Sequence, residues 1–175
     1  IKVERDLFIK LISGNQSAAQ RYFFFAQRQV AKIPDIPKET ELLDINKVGI
    51  IGAGTMGGGI AMNFANAGIP VTIIEQNQER LDKGIGIIRK NYENTAAKGR
   101  ISLEDVDKRM QFINGNISID TLSDKDLIIE AVFENMDLKK EIFSKLDLIA
   151  KDSAILATNT SALNINEIAE TTKRP

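Results

Sequence analysis

The sequence predicts an α/β fold: a doubly wound, mostly parallel sheet preceded by a helical segment. Three observations carry that prediction. From Lys47 onward, short apolar runs alternate with amphipathic helical stretches, the pattern of a sheet covered on both faces. The glycines crowd between Val48 and Ile74, where Gly52-Ala53-Gly54-Thr55-Met56-Gly57 stands between the first apolar run and the first helical one. Residues 1–46 lack this alternation and hold two helical stretches followed by Pro34 and Pro37.

In that leading segment, Leu7, Phe8, Leu11 and Ile12 recur at helical spacing, and Gly14-Asn15 breaks the run. A second helix is predicted over Ser17–Ile33. It carries Tyr22, Phe23, Phe24 and Phe25 in a row, enough to cover most of its circumference, so it needs partners on more than one side. The polar stretch Lys38-Glu39-Thr40-Glu41 reads as a linker between two bodies, or as the exit of a helix packed on the domain that follows.

Residues 47–175 read as the sheet domain. Lys47–Ile51 is the first strand and Thr55–Ala67 the first helix, with Met56, Ile60 and Phe64 as a core stripe. Val71–Ile74 is the second strand and Gln78–Lys98 a long helix weakened locally by Gly84 and Gly86. Ser102 with Asp105 forms a capping box, and Phe112–Ile113 is a third strand. Leu127–Val132 is the fourth strand, and Asp137–Ile149 an amphipathic helix with Leu138, Ile142, Phe143, Leu146 and Ile149 inward. Ala154–Ala157 is the fifth strand, and Asn164 with Glu167 caps a last helix.

Composition removes several function classes. The chain has 175 residues, 23 basic and 24 acidic, for a net charge of −1, so it has no electrostatic footprint for nucleic acid or an acidic membrane. Hydrophobic residues at 43% support a packed core. Without cysteine there is no disulfide, no thiolate nucleophile and no zinc cluster of the usual kind, and no metal site is predicted. Without histidine, the side chain best suited to proton transfer near neutral pH is missing. Val48–Ile74 is uncharged and long enough to span a bilayer, but its glycines, Pro70, Asn63 and Asn66 fit two strands and a helix better. A soluble, intracellular protein without signal peptide is expected. Ile1 at the start and Pro175 at the end suggest a piece of something longer.

The glycine string has the spacing G-x-G-x-x-G directly after a strand and directly into a helix. Gly52 makes the tight turn, Gly54 lets the backbone approach a pyrophosphate, and Gly57 lets helix and strand pack closely. The helix N-terminus, with Thr55 and Met56 in its first turn, presents N–H groups and about half a positive charge to the phosphates. The second strand ends at Glu75, about 20 residues beyond Gly52, where such folds carry the acid that takes the adenosine ribose hydroxyls. A 2′-phosphate roughly 4 Å from Glu75 would be repelled by up to about 4 kcal/mol at an effective dielectric near 20, which favours NAD over NADP. Arg80 lies a turn further on and reads as solvated. The fold expected is thus of the Rossmann type.

Ligands on open parallel sheets bind outside the carboxyl ends of the strands. Gly52–Met56 and Glu75 take the adenosine and pyrophosphate half. By elimination, Val132-Phe133-Glu134 and Thr158-Asn159-Thr160-Ser161 border the nicotinamide and whatever reacts with it. Glu134, Lys139, Asn159 and Ser161 can orient an amide or a substrate oxygen. Ser161 also reads as a turn residue before the Asn164 cap, and Lys139, on spacing alone, as a solvated helix lysine.

Three strings together, VGIIGAGTMGGGIAMNFANAGIPVTIIE, DLIIEAVFENMDLKKEIF and AILATNTSALNINEIA, resemble the NAD-binding domain of 3-hydroxyacyl-CoA dehydrogenases. GNQSAAQRYFFFAQRQ is similar to the connecting helix of bifunctional β-oxidation enzymes, in which an enoyl-CoA hydratase domain comes first. The resemblance implies oxidation of (S)-3-hydroxyacyl-CoA to 3-oxoacyl-CoA with NAD. It assigns NAD contacts to Met56, Glu75, Val132, Phe133, Glu134 and Lys139. It aligns Asn159 and Ser161 with an Asn-Thr-Ser motif whose serine lies beside nicotinamide and substrate hydroxyl. Many members carry Asp at the position of Glu75. The implied partners are the hydratase domain, a C-terminal dehydrogenase domain and a thiolase subunit, in the bacterial cytoplasm or, in a eukaryote, the peroxisome. The family's catalytic histidine and its paired glutamate fall after the match to Thr171–Pro175, so this chain is expected to bind NAD without turnover. A β-hydroxyacid-type dehydrogenase and a non-catalytic nucleotide-sensing or docking module are the competing readings.

Overall fold

The computed structural model describes residues 1–30, 32–37 and 39–175. Ala31, inside the second predicted helix, and Lys38, in the predicted linker, lie outside the described residues. Two compact units result, Ile1–Leu43 and Asp44–Pro175.

The first unit is a helical hairpin of α1 (Lys2–Ile12) and α2 (Asn15–Gln29). Arg21 ties its turn by donating to the Ile12 carbonyl at 2.9 Å. Neither helix buries a residue, and Tyr22, Phe23, Phe24 and Phe25 are all exposed. The guanidinium of Arg28 sits 3.5 Å from the centroid of the Phe24 ring. Helix α2 stops at Gln29 instead of Ile33: Pro34 disfavours a helical Ile33, and in a continuing helix its ring would clash with the carbonyl four residues back, at Val30.

The second unit is a five-stranded sheet in the order β3-β2-β1-β4-β5. Its strands are β1 (Val48–Ile51), β2 (Val71–Ile74), β3 (Ile113–Asn116), β4 (Leu127–Glu130) and β5 (Ile155–Thr158). All four pairings are parallel. Between them run α3 (Thr55–Asn66), α4 (Gln78–Ala97), α5 (Leu103–Met110), a 3-10 turn (Ile119–Leu122) and α6 (Met136–Ile149); α7 (Ile165–Ala169) follows β5. Because strand side chains alternate, the sheet buries both faces. Val48, Ile50, Val71 and Ile73 pack with Ala61, Leu81, Ile88, Tyr92 and Val106 of α3, α4 and α5. Ile51, Ile74 and Ile128 pack with Leu122 and with Leu146 of α6 on the other face.

Several boundaries and burials differ from the sequence reading. Of the expected stripe on α3, Ile60 and Phe64 pack against the core, but the fully buried positions are Gly57, Gly58, Ala61 and Ala65, and Met56 is 56% exposed. Small side chains seat this helix close to the sheet, a preference that a hydrophobicity pattern does not register. Strand β3 extends through Gly115 to Asn116, and a Cβ on Gly115 would meet Leu81 and Ile85 of α4 at under 3 Å. Strand β4 ends at Glu130, so Val132 belongs to the loop beyond it. The Ser102–Asp105 capping box forms at α5. At α7, Asn164 caps the Asn166 N–H, while Glu167 pairs with Lys140 at 3.0 Å.

Candidate functional site

The site begins where β1 turns into α3. Gly52 has φ +105°, a left-handed conformation that side chains rarely adopt, and a Cβ there would lie 2.7 Å from the Ala131 carbonyl oxygen. A Cβ on Gly57 would collide with the Gly52 carbonyl, so this glycine sets how closely α3 approaches the turn. Gly54 has nothing within 4 Å of its Cβ position. It is the N-cap of α3 with no side-chain cap, and the first turn carries no acid. The N–H groups of that turn are therefore left for a ligand, with the positive end of the helix dipole behind them.

Glu75, just past β2, faces the same turn. Its Oε1 accepts the Ala53 N–H at 2.9 Å and its Oε2 the Gln76 N–H at 3.0 Å. Across the sheet, the loop after β4 carries Val132, Phe133 and Glu134, and the one after β5 carries Asn159 and Ser161. Phe133 is 78% exposed. The Thr160 hydroxyl donates to Glu134 Oε1, and that bond, with the Lys139 ammonium beside it, holds the Glu134 carboxyl below its usual range.

These segments line one cavity of about 1190 Å³ outside the carboxyl ends of β1, β2, β4 and β5. Gly52, Gly54, Thr55, Met56, Glu75, Val132, Phe133, Glu134, Asn159 and Ser161 all border it. Arg80 borders it too, exposed and hydrogen-bonded to Gln76 at 3.0 Å. Gly57 lies behind the wall as a packing residue.

Lys139 corrects the sequence reading. It is 1% exposed, not solvated, and its Nζ donates to both carboxylate oxygens of Glu130 at 2.7 and 2.8 Å. It lies beneath the cavity rather than on its wall. Glu130 was not singled out from the sequence, and Thr158 and Thr160 were named only as part of the Thr158–Ser161 stretch, with no role of their own. A signal existed, since Glu130 is an acid inside the apolar run of a parallel strand, where an unpaired charge is prohibitive. Ile87 and Asn91 of α4, which also border the cavity, carried none.

Residues 47–175 match the family described as 3-hydroxyacyl-CoA dehydrogenase, NAD binding domain. The chain belongs to that family. The whole chain is 38% identical over 181 residues to the peroxisomal bifunctional enzyme of Cavia porcellus, covering 100% of this chain and 24% of the relative. It is 40% identical over 129 residues to a 3-hydroxybutyryl-CoA dehydrogenase of Clostridioides difficile, covering 74% of this chain and 46% of that protein. Among solved structures, the dehydrogenase part of multifunctional enzyme 1 from C. elegans superposes with a TM-score of 0.72 at 32% identity. That superposition covers 81% of this chain and 33% of the other. The chain thus spans about a quarter of the length of the peroxisomal relative.

The residues present fit NAD. Gly54 leaves an open cradle over an uncapped helix N-terminus, and the Glu75 carboxylate, anchored on the Ala53 N–H, stands at the adjacent strand end. The cavity exceeds the roughly 300–1,000 Å³ of ordinary ligand pockets, room enough for a dinucleotide. Among the described residues, no helix is long and apolar enough to cross a membrane.

Proposed function

We propose that Asp44–Pro175 supplies the cofactor half of an enzyme that oxidises (S)-3-hydroxyacyl-CoA to 3-oxoacyl-CoA in fatty-acid β-oxidation. The observation that carries this is one cavity with two chemically different ends. At one end, the Gly52–Gly57 turn, the first N–H groups of α3 and Glu75 suit a pyrophosphate and an adenosine ribose. At the other, Asn159, Ser161 and Glu134 suit a carboxamide, a ribose and a substrate hydroxyl. NAD supplies the hydride acceptor when bound. Ser161 orients the substrate hydroxyl, and Asn159 and Glu134 hold the ring that faces it.

The sequence contains no histidine, so residues 1–175 bind NAD(H) but do not turn over 3-hydroxyacyl-CoA at a useful rate. The proton acceptor and the lid over the acyl chain come from another part of a longer protein, with a hydratase domain and a C-terminal dehydrogenase domain as neighbours. The exposed aromatic face of α2 supports docking against such neighbours, and a thiolase subunit is a further partner. The setting proposed is the peroxisome in a eukaryote and the cytoplasm in a bacterium.

Calorimetric titration of this chain with NADH and NADPH tests the cofactor, with NADH expected to bind more tightly. Oxidation of NADH by acetoacetyl-CoA, followed in a longer protein containing this chain, tests the reaction. Robust turnover by residues 1–175 alone overturns the division of labour.

A further inference from the structure

We infer that the buried Lys139–Glu130 pair is a positioning unit that sets Glu134 and joins the two loops at the nicotinamide end of the cavity. The inference rests on the cofactor reading above.

Polar contacts close into a ring. Lys139 of α6 donates to Glu130 of β4 at 2.7 and 2.8 Å. Glu130 Oε2 accepts the Thr158 hydroxyl of β5 at 2.6 Å, and Thr158 Oγ1 accepts the Thr160 N–H at 3.3 Å. The Thr160 hydroxyl donates to Glu134, whose other oxygen lies 3.5 Å from the Lys139 ammonium. Glu130 also takes the Val132 N–H at 2.7 Å, which fixes the start of the β4 loop where it lines the cavity.

Burial gives the ring its purpose. Glu130 is 0% and Lys139 1% exposed, while Glu134 borders the cavity with its side chain 45% exposed. A fully desolvated ion pair seldom contributes more stability than an apolar pair of the same volume. What this one adds is geometry: a single ammonium, fixed from below, holds a cavity-facing carboxylate and links the β4 and β5 loops. Lys139 thus acts through Glu130 and Glu134 as a positioning residue.

The test uses the double variant E130Q/K139M, which leaves no buried unpaired charge, keeps an acceptor for the Val132 N–H and faces the Thr158 hydroxyl with an amide N–H in place of the carboxylate oxygen it donates to. NADH probes the whole site; ADP-ribose probes only the adenosine half. Expected are unchanged circular dichroism, ADP-ribose affinity within about twofold of wild type, and NADH affinity weaker by roughly tenfold. The same double change introduced into E134Q should cost NADH affinity little more than E134Q alone, because the two act through one group. Equal loss for both ligands marks a general structural role and overturns the inference, as does no loss for either. Full additivity with E134Q overturns it too. Failure of wild type to bind ADP-ribose and NADH would overturn the cofactor reading, and this inference with it.

Discussion

Glu75 Oε1 accepts the backbone N–H of Ala53 at 2.9 Å, so the acid at the end of β2 is anchored on the glycine turn at the end of β1. The same carboxylate therefore braces the turn and faces the place where an adenosine ribose would sit. Its two oxygens are oriented by the Ala53 and Gln76 N–H groups before any ligand arrives. Pre-orientation of this kind lowers the ordering cost of binding.

Glu75→Ala removes both the proposed ribose acceptor and the charge that would repel a 2′-phosphate. NADH affinity should fall about tenfold, while NADPH affinity holds or rises, so the ratio between them narrows by at least about tenfold. Parallel titrations of the variant with the two nucleotides measure this. A preference that survives intact would mean that other groups set it.

Gly54 and Gly57 should separate binding from folding. Gly54→Ala meets open space, and its stability should stay within about 1 kcal/mol of wild type while NADH affinity drops at least tenfold. Gly57→Ala drives a methyl into the Gly52 carbonyl and should cost more than about 3 kcal/mol. Denaturant melts with NADH titrations distinguish the two outcomes.

Gly84 and Gly86 make a second contrast, within α4. A Cβ on Gly84 would strike Ala53, whereas Gly86 has nothing within 4 Å. Gly84→Ala should destabilise by about 1–3 kcal/mol by pushing α4 off the phosphate turn. Gly86→Ala should stabilise by about 0.5–1 kcal/mol through helix propensity. Melting curves of the two variants provide the comparison.

Acid stability should depend on two carboxylates just before β4, at the amino ends of the strands, opposite the cavity. Lys151, then the N–H groups of Asn46 and Lys47, hold Asp126 down at about 2; Lys125 and Lys47 do the same for Asp124. Both folded pKa values lie below the unfolded value, near 4. Their stabilisation is therefore complete above about pH 5 and is lost as pH falls towards 2. The melting temperature of wild type should decline across that window. Asp126→Asn should melt lower at neutral pH and converge on wild type near pH 2; a constant difference would show that charge at Asp126 is irrelevant.

The parallel sheet, the glycine turn and the acid after β2 were legible in the sequence because each depends on chemistry local to a strand end. Periodicity and glycine spacing carry that information directly. The burial of Lys139 was not legible. Its helical spacing is that of a surface lysine, and only the arrival of Glu130 from β4 and Thr158 from β5 turns that position inward. Met56 was misread for the converse reason. An apolar side chain on a helix is ordinarily core, yet the small residues Gly57, Gly58, Ala61 and Ala65 claim the sheet-facing side and turn Met56 to the cavity. Strand β3, with its polar Asn114, Gly115 and Asn116, shows no apolar run. Its place comes from pairing with β2 and from the room Gly115 leaves beneath α4. Local sequence thus determined the fold class and the dinucleotide turn. Tertiary packing decided which side chains reach the cavity, because burial and charge pairing depend on residues far apart in the chain.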